Sequence, residues 1–395
     1  MKKQITLIIV SVFFLISCQT QNQKSAGTDS QAATLQSSMQ NLKEVLSKLL
    51  PQVIDPAQFN SPDKRSLVDQ EVKELSALSK QVSHNPSVQF RDPSLRFISS
   101  AFSEDLKRVD ESLQLGKREY ARYTLMHVTA YCIECHTRTS SGPSFSTPQL
   151  EKTLANMKKI DRGEYLLAIR QFDQAFKEFE SVISESLASQ SNLYELDRAV
   201  RNALAISIKF QKDPKKSFKI TSLIEGAPQA PYYLKQSAKS WSSAIREWQK
   251  EKLISARTAS DLLSRCQTLV RQGHRAQMGM SDRGGDVYFL RALSDLHQLL
   301  TMDLNKEQLG EALYLTGVSY EAVRDLALWS LHENYYESCI RQVPHSNWSQ
   351  QCYKKLEESV YFGFTGSSGM RLPLDVQVKL NELQKLALPE LQPAK

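Results

Sequence analysis

The sequence is poor in the two residue types that most often interrupt helices. Glycine and proline occur only 14 times each in 395 residues, and no stretch shows the sustained alternation of apolar and polar residues that predicts a strand. Apolar residues recur instead at helical spacing along nearly the whole chain. The sequence therefore predicts an all-α protein, long enough for two or three domains.

Long apolar runs are also missing beyond the N-terminus. The run ITLIIVSVFFLI follows Lys2 and Lys3 and is too short to span a bilayer as a helix, so it predicts a secretory signal. The formal net charge of +7 is spread over the chain. No basic patch interleaved with aromatic residues stands out, so nucleic acid is not an expected partner.

The residues LISC that end at Cys18 resemble the bacterial lipobox. The resemblance implies that residues 1–17 are removed, that Cys18 is acylated and that the chain is anchored to a lipid bilayer. Gln19 follows, and in the lipoprotein sorting rule this favours the outer membrane. We therefore expect a periplasm-facing envelope protein, with residues 18–34, which are small and polar, forming a flexible tether.

Four helices are predicted between residues 35 and 140. Their apolar stripes lie at residues 35–49, which end before Pro51, at 67–78, at 92–116, and from 119 onward. Connections of several residues separate them, so an antiparallel four-helix bundle is expected. The last of the four helices leads directly into the stretch YCIECHTRT at residues 131–139.

That stretch contains Cys132, Cys135 and His136 in a C-x-x-C-H pattern, which is compatible with three kinds of site. A zinc ion would need further ligands, and no second C-x-x-C or H-x-x-x-H pattern supplies them. A thioredoxin-like dithiol needs a strand and a helix N-terminus, whereas this pattern ends a helix. One covalent haem c fits best, with Cys132 and Cys135 as thioether residues and His136 as the proximal iron ligand.

The position of CIECH on the last helix of a four-helix bundle resembles a class II cytochrome c, over about residues 35–140. In low-spin members of that group the sixth ligand is a methionine on the first helix, which implies Met39 here. The alternative is that Met39 only fills the core. Met126 and His127 lie on the same helix as His136, on the proximal side of the haem, and Met157 lies downstream. All three residues are therefore weaker candidates for the sixth ligand.

The Ser/Gly/Pro-rich turn at residues 139–148 predicts a domain boundary. After it, residues 163–183 resemble a tetratricopeptide repeat, with Gly163, Ala175 and Phe179 at its small and aromatic positions, and residues 312–344 keep Gly317 and Tyr320. A helical-repeat domain is therefore expected over residues 150–395. A helical domain without repeats is the alternative.

The remaining cysteines are Cys266, Cys339 and Cys352. Cys339 and Cys352 flank a helix break at Pro344 and are expected to form a disulfide across a helical hairpin in an oxidising periplasm. Cys266 lies on an apolar helix face and is expected to be a buried free thiol.

These features favour electron transfer, with the helical domain docking a redox partner protein or an envelope assembly. A haem-based gas sensor or carrier, with an open sixth iron position, is the alternative, as is an envelope scaffold. No trio of serine, histidine and carboxylate can be identified from spacing, so the sequence favours an electron carrier over an enzyme.

Overall fold

The computed structural model describes residues 23–85, 93–136, 151, 154–155, 157–190, 192–251, 258–279, 282–323, 331–367 and 369–389. Within these ranges the chain forms sixteen α-helices and one pair of two-residue strands, so the all-α prediction is confirmed. Cys18, the lipobox and the expected boundary turn at residues 139–148 lie outside the described residues.

The elements follow one another in chain order. They are α1 (Gln23–Ile54), α2 (Pro56–Asn60), α3 (Pro62–Ser83), α4 (Pro93–Gln114), α5 (Arg118–His136), α6 (Lys159–Ala168), α7 (Phe172–Ser189), α8 (Leu193–Leu204) with a π-helical segment (Ala205–Phe210), α9 (Pro214–Gly226), α10 (Tyr232–Lys250), α11 (Ala259–Ala276), α12 (Asp286–Leu299), α13 (Lys306–Ala322), α14 (Leu331–Gln342), α15 (Asn347–Gly363), β1 (Thr365–Gly366), β2 (Gly369–Met370) and α16 (Leu374–Ala387). None of these helices is both long and apolar enough to cross a bilayer.

The four long N-terminal helices α1, α3, α4 and α5 pack around one apolar core, where Leu49, Val72, Leu106 and Leu125 are almost completely buried. The short α2 was not expected, and it adds Phe59 to the same core. Gly116 lies just after α4 with φ at +72°, a left-handed conformation that glycine adopts without strain. The expected helix end at this glycine is therefore confirmed.

The bounds of α1 differ from the prediction at both ends. The helix continues through Pro51 to Ile54, because burying Leu50 and Val53 offsets the backbone hydrogen bond that proline cannot donate. It also begins at Gln23, so residues 23–34 are helical where a flexible tether was expected. Extending an existing helix costs much less free energy than nucleating a new one. Polar residues of modest helix propensity can therefore extend the packed part of α1 towards the N-terminus.

The helices after residue 158 pack largely against their neighbours in sequence. Gly163 on α6 faces Phe179 on α7 so closely that a Cβ atom would lie 2.7 Å from the ring. Gly317 on α13 faces Tyr336 on α14 in the same way, at 2.4 Å. A side chain at either glycine would push the paired helices apart, which explains why the smallest residue occupies these positions. Whether the pairs are tetratricopeptide repeats stays a prediction.

The N-terminal bundle shares its packing with the helices that follow it. Leu50 and Ile98 belong to the bundle helices α1 and α4, yet they pack in the core formed by residues beyond 157. Helix α4 also contacts α14, and α5 contacts α6. The two parts of the chain are therefore joined through buried apolar side chains.

Cys339 and Cys352 form the predicted disulfide between α14 and α15, with their Cα atoms 6.3 Å apart. Both residues are fully buried. Cys266 is a free thiol with no exposed surface, which confirms the prediction of a buried free thiol.

Replacing both Cys339 and Cys352 by alanine should lower the free energy of unfolding by about 3 kcal/mol, because the unfolded chain regains the freedom of the closed loop. Urea unfolding without reductant measures the change. A reducing agent should lower the midpoint of the native chain and leave that of the variant unchanged. Equal urea midpoints for the native chain and the variant, both measured without reductant, would contradict the stabilising role of the disulfide.

Candidate cofactor site

An apolar cavity of about 740 Å³, counted with its opening to solvent, lies where α1, α4 and α5 meet α6. Cys132, Cys135, His136 and Met39 all line this cavity. Four residues that the sequence singled out for one site therefore face one space.

The helical spacing of α5 explains how its three residues come together. Cys132, Cys135 and His136 occupy positions i, i+3 and i+4 of its last turn, and such positions share one helix face. The remaining wall is aliphatic and aromatic, and includes Leu46 on α1 and Phe102 on α4.

His136 is held through one of its two ring nitrogens, which leaves the other available to a ligand. Its Nδ1 lies 2.8 Å from the carbonyl oxygen of Ala168 and donates to it. The Nδ1 proton leaves the lone pair on Nε2, which is the arrangement of a metal-binding histidine fixed by an outer hydrogen bond. Burial lowers the pKa of His136 below its usual value and keeps the ring neutral.

Neither Cys132 nor Cys135 forms a disulfide, and both are half-buried. Burial raises the pKa of Cys132 to about 12, so its sulfur carries a proton in the ligand-free chain at neutral pH. The two cysteines thus place two separate sulfur atoms on the wall of a shared cavity.

Met39 lies on the wall, on α1, and is half-buried. The alternative ligands lie elsewhere. The sulfur of Met126 contacts Arg122 at 3.3 Å on the outer side of α5, and His127 is exposed there, with Nδ1 2.8 Å from the Tyr123 carbonyl. Met157 is buried in the core of the C-terminal helices. Met39 is therefore the methionine that the geometry favours.

Tyr131 and Lys43 are two of the polar residues on the wall. The hydroxyl of Tyr131 donates to the carboxylate of Asp105, and burial together with that carboxylate raises the pKa of Tyr131. Lys43 is the one wall residue with a permanent charge among those that the structure describes. The cavity is therefore an apolar space with a single cation on its wall.

Helix α6 closes one side of the cavity, which no pattern in the sequence indicated. Tyr165, Ala168 and Ile169 all line it. Arg170 adopts φ of +65°, which is costly for a residue with a side chain. Its guanidinium donates to the carbonyl of His136 and lies over the rings of Phe172 and Phe210, 5.2 and 5.6 Å from their centroids.

The contact from Arg170 has a physical reason. The last carbonyls of a helix have no partner within it, and a cation near them is favourable. The described part of α5 reaches His136, where Arg170 donates to the backbone carbonyl while the carbonyl of Ala168 accepts from the imidazole ring of the same residue. Two adjacent contacts from the α6 end thus fix one residue of the site.

Groups of three or more histidine, cysteine, aspartate or glutamate side chains that could hold a bare metal ion are not found among the described residues. A haem iron takes four ligands from its own ring, so it does not need such a group. Comparison with models of known families, with curated proteins and with solved structures found no match.

Proposed function

We propose that this chain is a mono-haem c-type cytochrome of the bacterial envelope that transfers electrons. The observation that carries the proposal is that Cys132, Cys135, His136 and Met39 line a single apolar cavity. Two thiols would form the covalent attachment, and an imidazole and a thioether sulfur would be the protein ligands of the iron.

The wall suits a haem in its other properties as well. Its apolar side chains would pack against the flat ring, and Lys43 would suit the carboxylates that a haem carries. Each thiol would add its sulfur and its hydrogen across one vinyl group, which consumes no further reactant. When bound, a haem would supply an iron that changes its valence by one electron.

The residues of this chain would hold the iron environment constant during that change. Nδ1 of His136 donates to Ala168, and this hydrogen bond fixes the direction of Nε2. Helices α1 and α5, which carry Met39 and His136, belong to one packed core. A rigid site reorganises little between oxidation states, which suits electron transfer.

The helices beyond residue 150 would provide a docking surface for a redox partner protein or an envelope assembly. Support comes from their arrangement in neighbouring packed pairs, which leaves long helix faces in contact with solvent.

An absorption spectrum of the purified full-length chain, exported in a host that attaches haem, tests the proposal. Oxidised and reduced forms should show haem bands that interconvert reversibly on addition of reductant and oxidant. A colourless protein from that host would exclude a cytochrome.

The envelope location in this proposal depends on Cys18, in the sequence that resembles a lipobox. Cys18→Ala should abolish incorporation of radiolabelled palmitate and release the chain from the membrane fraction, because the acylated sulfur is lost. Ser17 and the rest of the signal are unchanged, so the variant should still be exported, and its export is checked in the same preparation. Palmitate that still enters the variant would show that the lipobox interpretation is wrong.

A further inference from the structure

Four polar side chains form a buried cluster behind the last turn of α5. Their exposed fractions are 4% for Glu134, 6% for Lys209, 1% for His297 and 2% for Tyr320. Lys209 Nζ lies 3.4 Å from Glu134 Oε2 and 3.2 Å from the Tyr320 hydroxyl. That hydroxyl donates to Glu134 Oε2 at 3.0 Å and lies 3.0 Å from His297 Nε2.

The four residues come from distant parts of the chain. Glu134 lies within CIECH on α5, Lys209 on the π-helical segment, His297 on α12 and Tyr320 on α13. The π-helical geometry is rare and is often found at functional positions. The carbonyl of Lys209 also accepts a hydrogen bond of 2.7 Å from Ser294, which fixes the backbone that carries the cation.

Stability alone does not account for a buried ion pair at this place. Taking both charges out of water is costly, and apolar residues of similar volume often stabilise a core as well or better. Removing one partner, by contrast, leaves the other buried without compensation. Such a pair therefore resists any movement that separates its two members.

The geometry of α5 indicates what this resistance holds in place. Successive residues of a helix are turned by about 100°, so Glu134 points away from the face shared by Cys132, Cys135 and His136. Those three line the cavity, while Glu134 bonds to the helices behind. The last turn is thus held on its cavity side by α6 and on its opposite side by Glu134.

We propose that Glu134 is a positioning residue: its contacts with Lys209 and with Tyr320, whose hydroxyl also bonds to His297, set the rotation of the last turn of α5, so that both thiols and the imidazole face the cavity. The helices beyond residue 150 are then part of the cofactor site. The inference concerns the same site as the proposed function, and its first test requires no haem.

The first test measures thiol reactivity in the full-length chain produced without haem. Maleimide labelling of Cys132, Cys135 and Cys266 is followed separately by mass spectrometry in Glu134→Gln and Lys209→Met. Each variant should label Cys132 and Cys135 about tenfold faster than the native chain, because the turn is freed locally. Cys266, which is buried elsewhere, should keep its native rate.

A control variant removes a partly buried hydrogen bond outside this cluster. The hydroxyl of Tyr336 donates to Glu321 at 2.6 Å between α13 and α14, so Tyr336→Phe should leave the ratio of the three rates unchanged. Rates that rise together at all three thiols in Glu134→Gln would mean that the cluster only stabilises the fold. Unchanged rates would equally overturn the positioning role.

The second test uses haem-loaded protein and the midpoint potential, which nearby charge shifts. Glu134→Gln removes a negative charge and leaves Lys209, so the potential should rise. Lys209→Met leaves the carboxylate and should lower it. Shifts in the same direction, as a loosened site would give, overturn the inference. A native chain that never acquires haem overturns the proposed function instead, and thiol labelling still decides the role of Glu134.

Discussion

A chain in which Cys132 and Cys135 are both alanine should lose all covalently bound haem. The two sulfurs are the only thiols on the wall of the cavity in the part of the chain that the structure describes, and each thioether requires one of them. A haem stain of the denatured protein after electrophoresis should be strong for the native chain and absent for the variant. The single variants should each keep one bond and an intermediate stain.

Two comparisons make this result specific. Cys266→Ala removes a buried thiol outside the cavity and should leave the stain at its native strength. Circular dichroism should show that the double variant keeps its helices, because neither side chain is part of the apolar core of the bundle. A stain that persists in the double variant would rule out attachment at CIECH.

The second large effect is expected from Met39→Ala. If the thioether of Met39 occupies the sixth position, the native iron is low-spin in both oxidation states and carbon monoxide binds slowly. The variant opens that position, so it should give a high-spin spectrum and bind carbon monoxide rapidly. Covalent haem should remain, because Cys132, Cys135 and His136 are unchanged.

The substitution should disturb the fold little. Met39 is half-buried and lies on a cavity wall, so its loss should cost about 2 kcal/mol, the low end of the range for buried methionines. Met157→Ala is a suitable comparison, since that methionine lies in the core beyond the cavity. Native protein that is already high-spin, and as fast with carbon monoxide as Met39→Ala, would instead favour the gas sensor or carrier.

The features that the sequence predicted correctly depend on short-range patterns. The position of CIECH on the last bundle helix follows from helical periodicity, and so does the place of Met39 on the inner face of α1. The disulfide between Cys339 and Cys352 required only a helix break between two residues close in sequence. Such patterns are visible because neighbours on one helix face repeat every three or four residues.

The features that it did not predict depend on packing between distant segments. No pattern in the sequence around Arg170 or Lys209 indicates that these side chains contact α5. Glu134, which Lys209 contacts, lies inside the C-x-x-C-H motif, but the motif does not indicate this partner. Pro51 predicted a helix end because local propensity disfavours proline, and tertiary burial overrode that preference. The predicted site contained residues of the bundle alone, and helix α6, which lies beyond residues 35–140, contributes part of the cavity wall.

Mass spectrometry of one peptide tests the central claim most directly. Trypsin should release residues 123–138, which contain Cys132, Cys135 and His136 and no internal lysine or arginine. In protein exported from a host that attaches haem, this peptide should carry the added mass of one haem bonded to both sulfurs. The same peptide recovered without haem, with both thiols free or joined in a disulfide, would contradict the account.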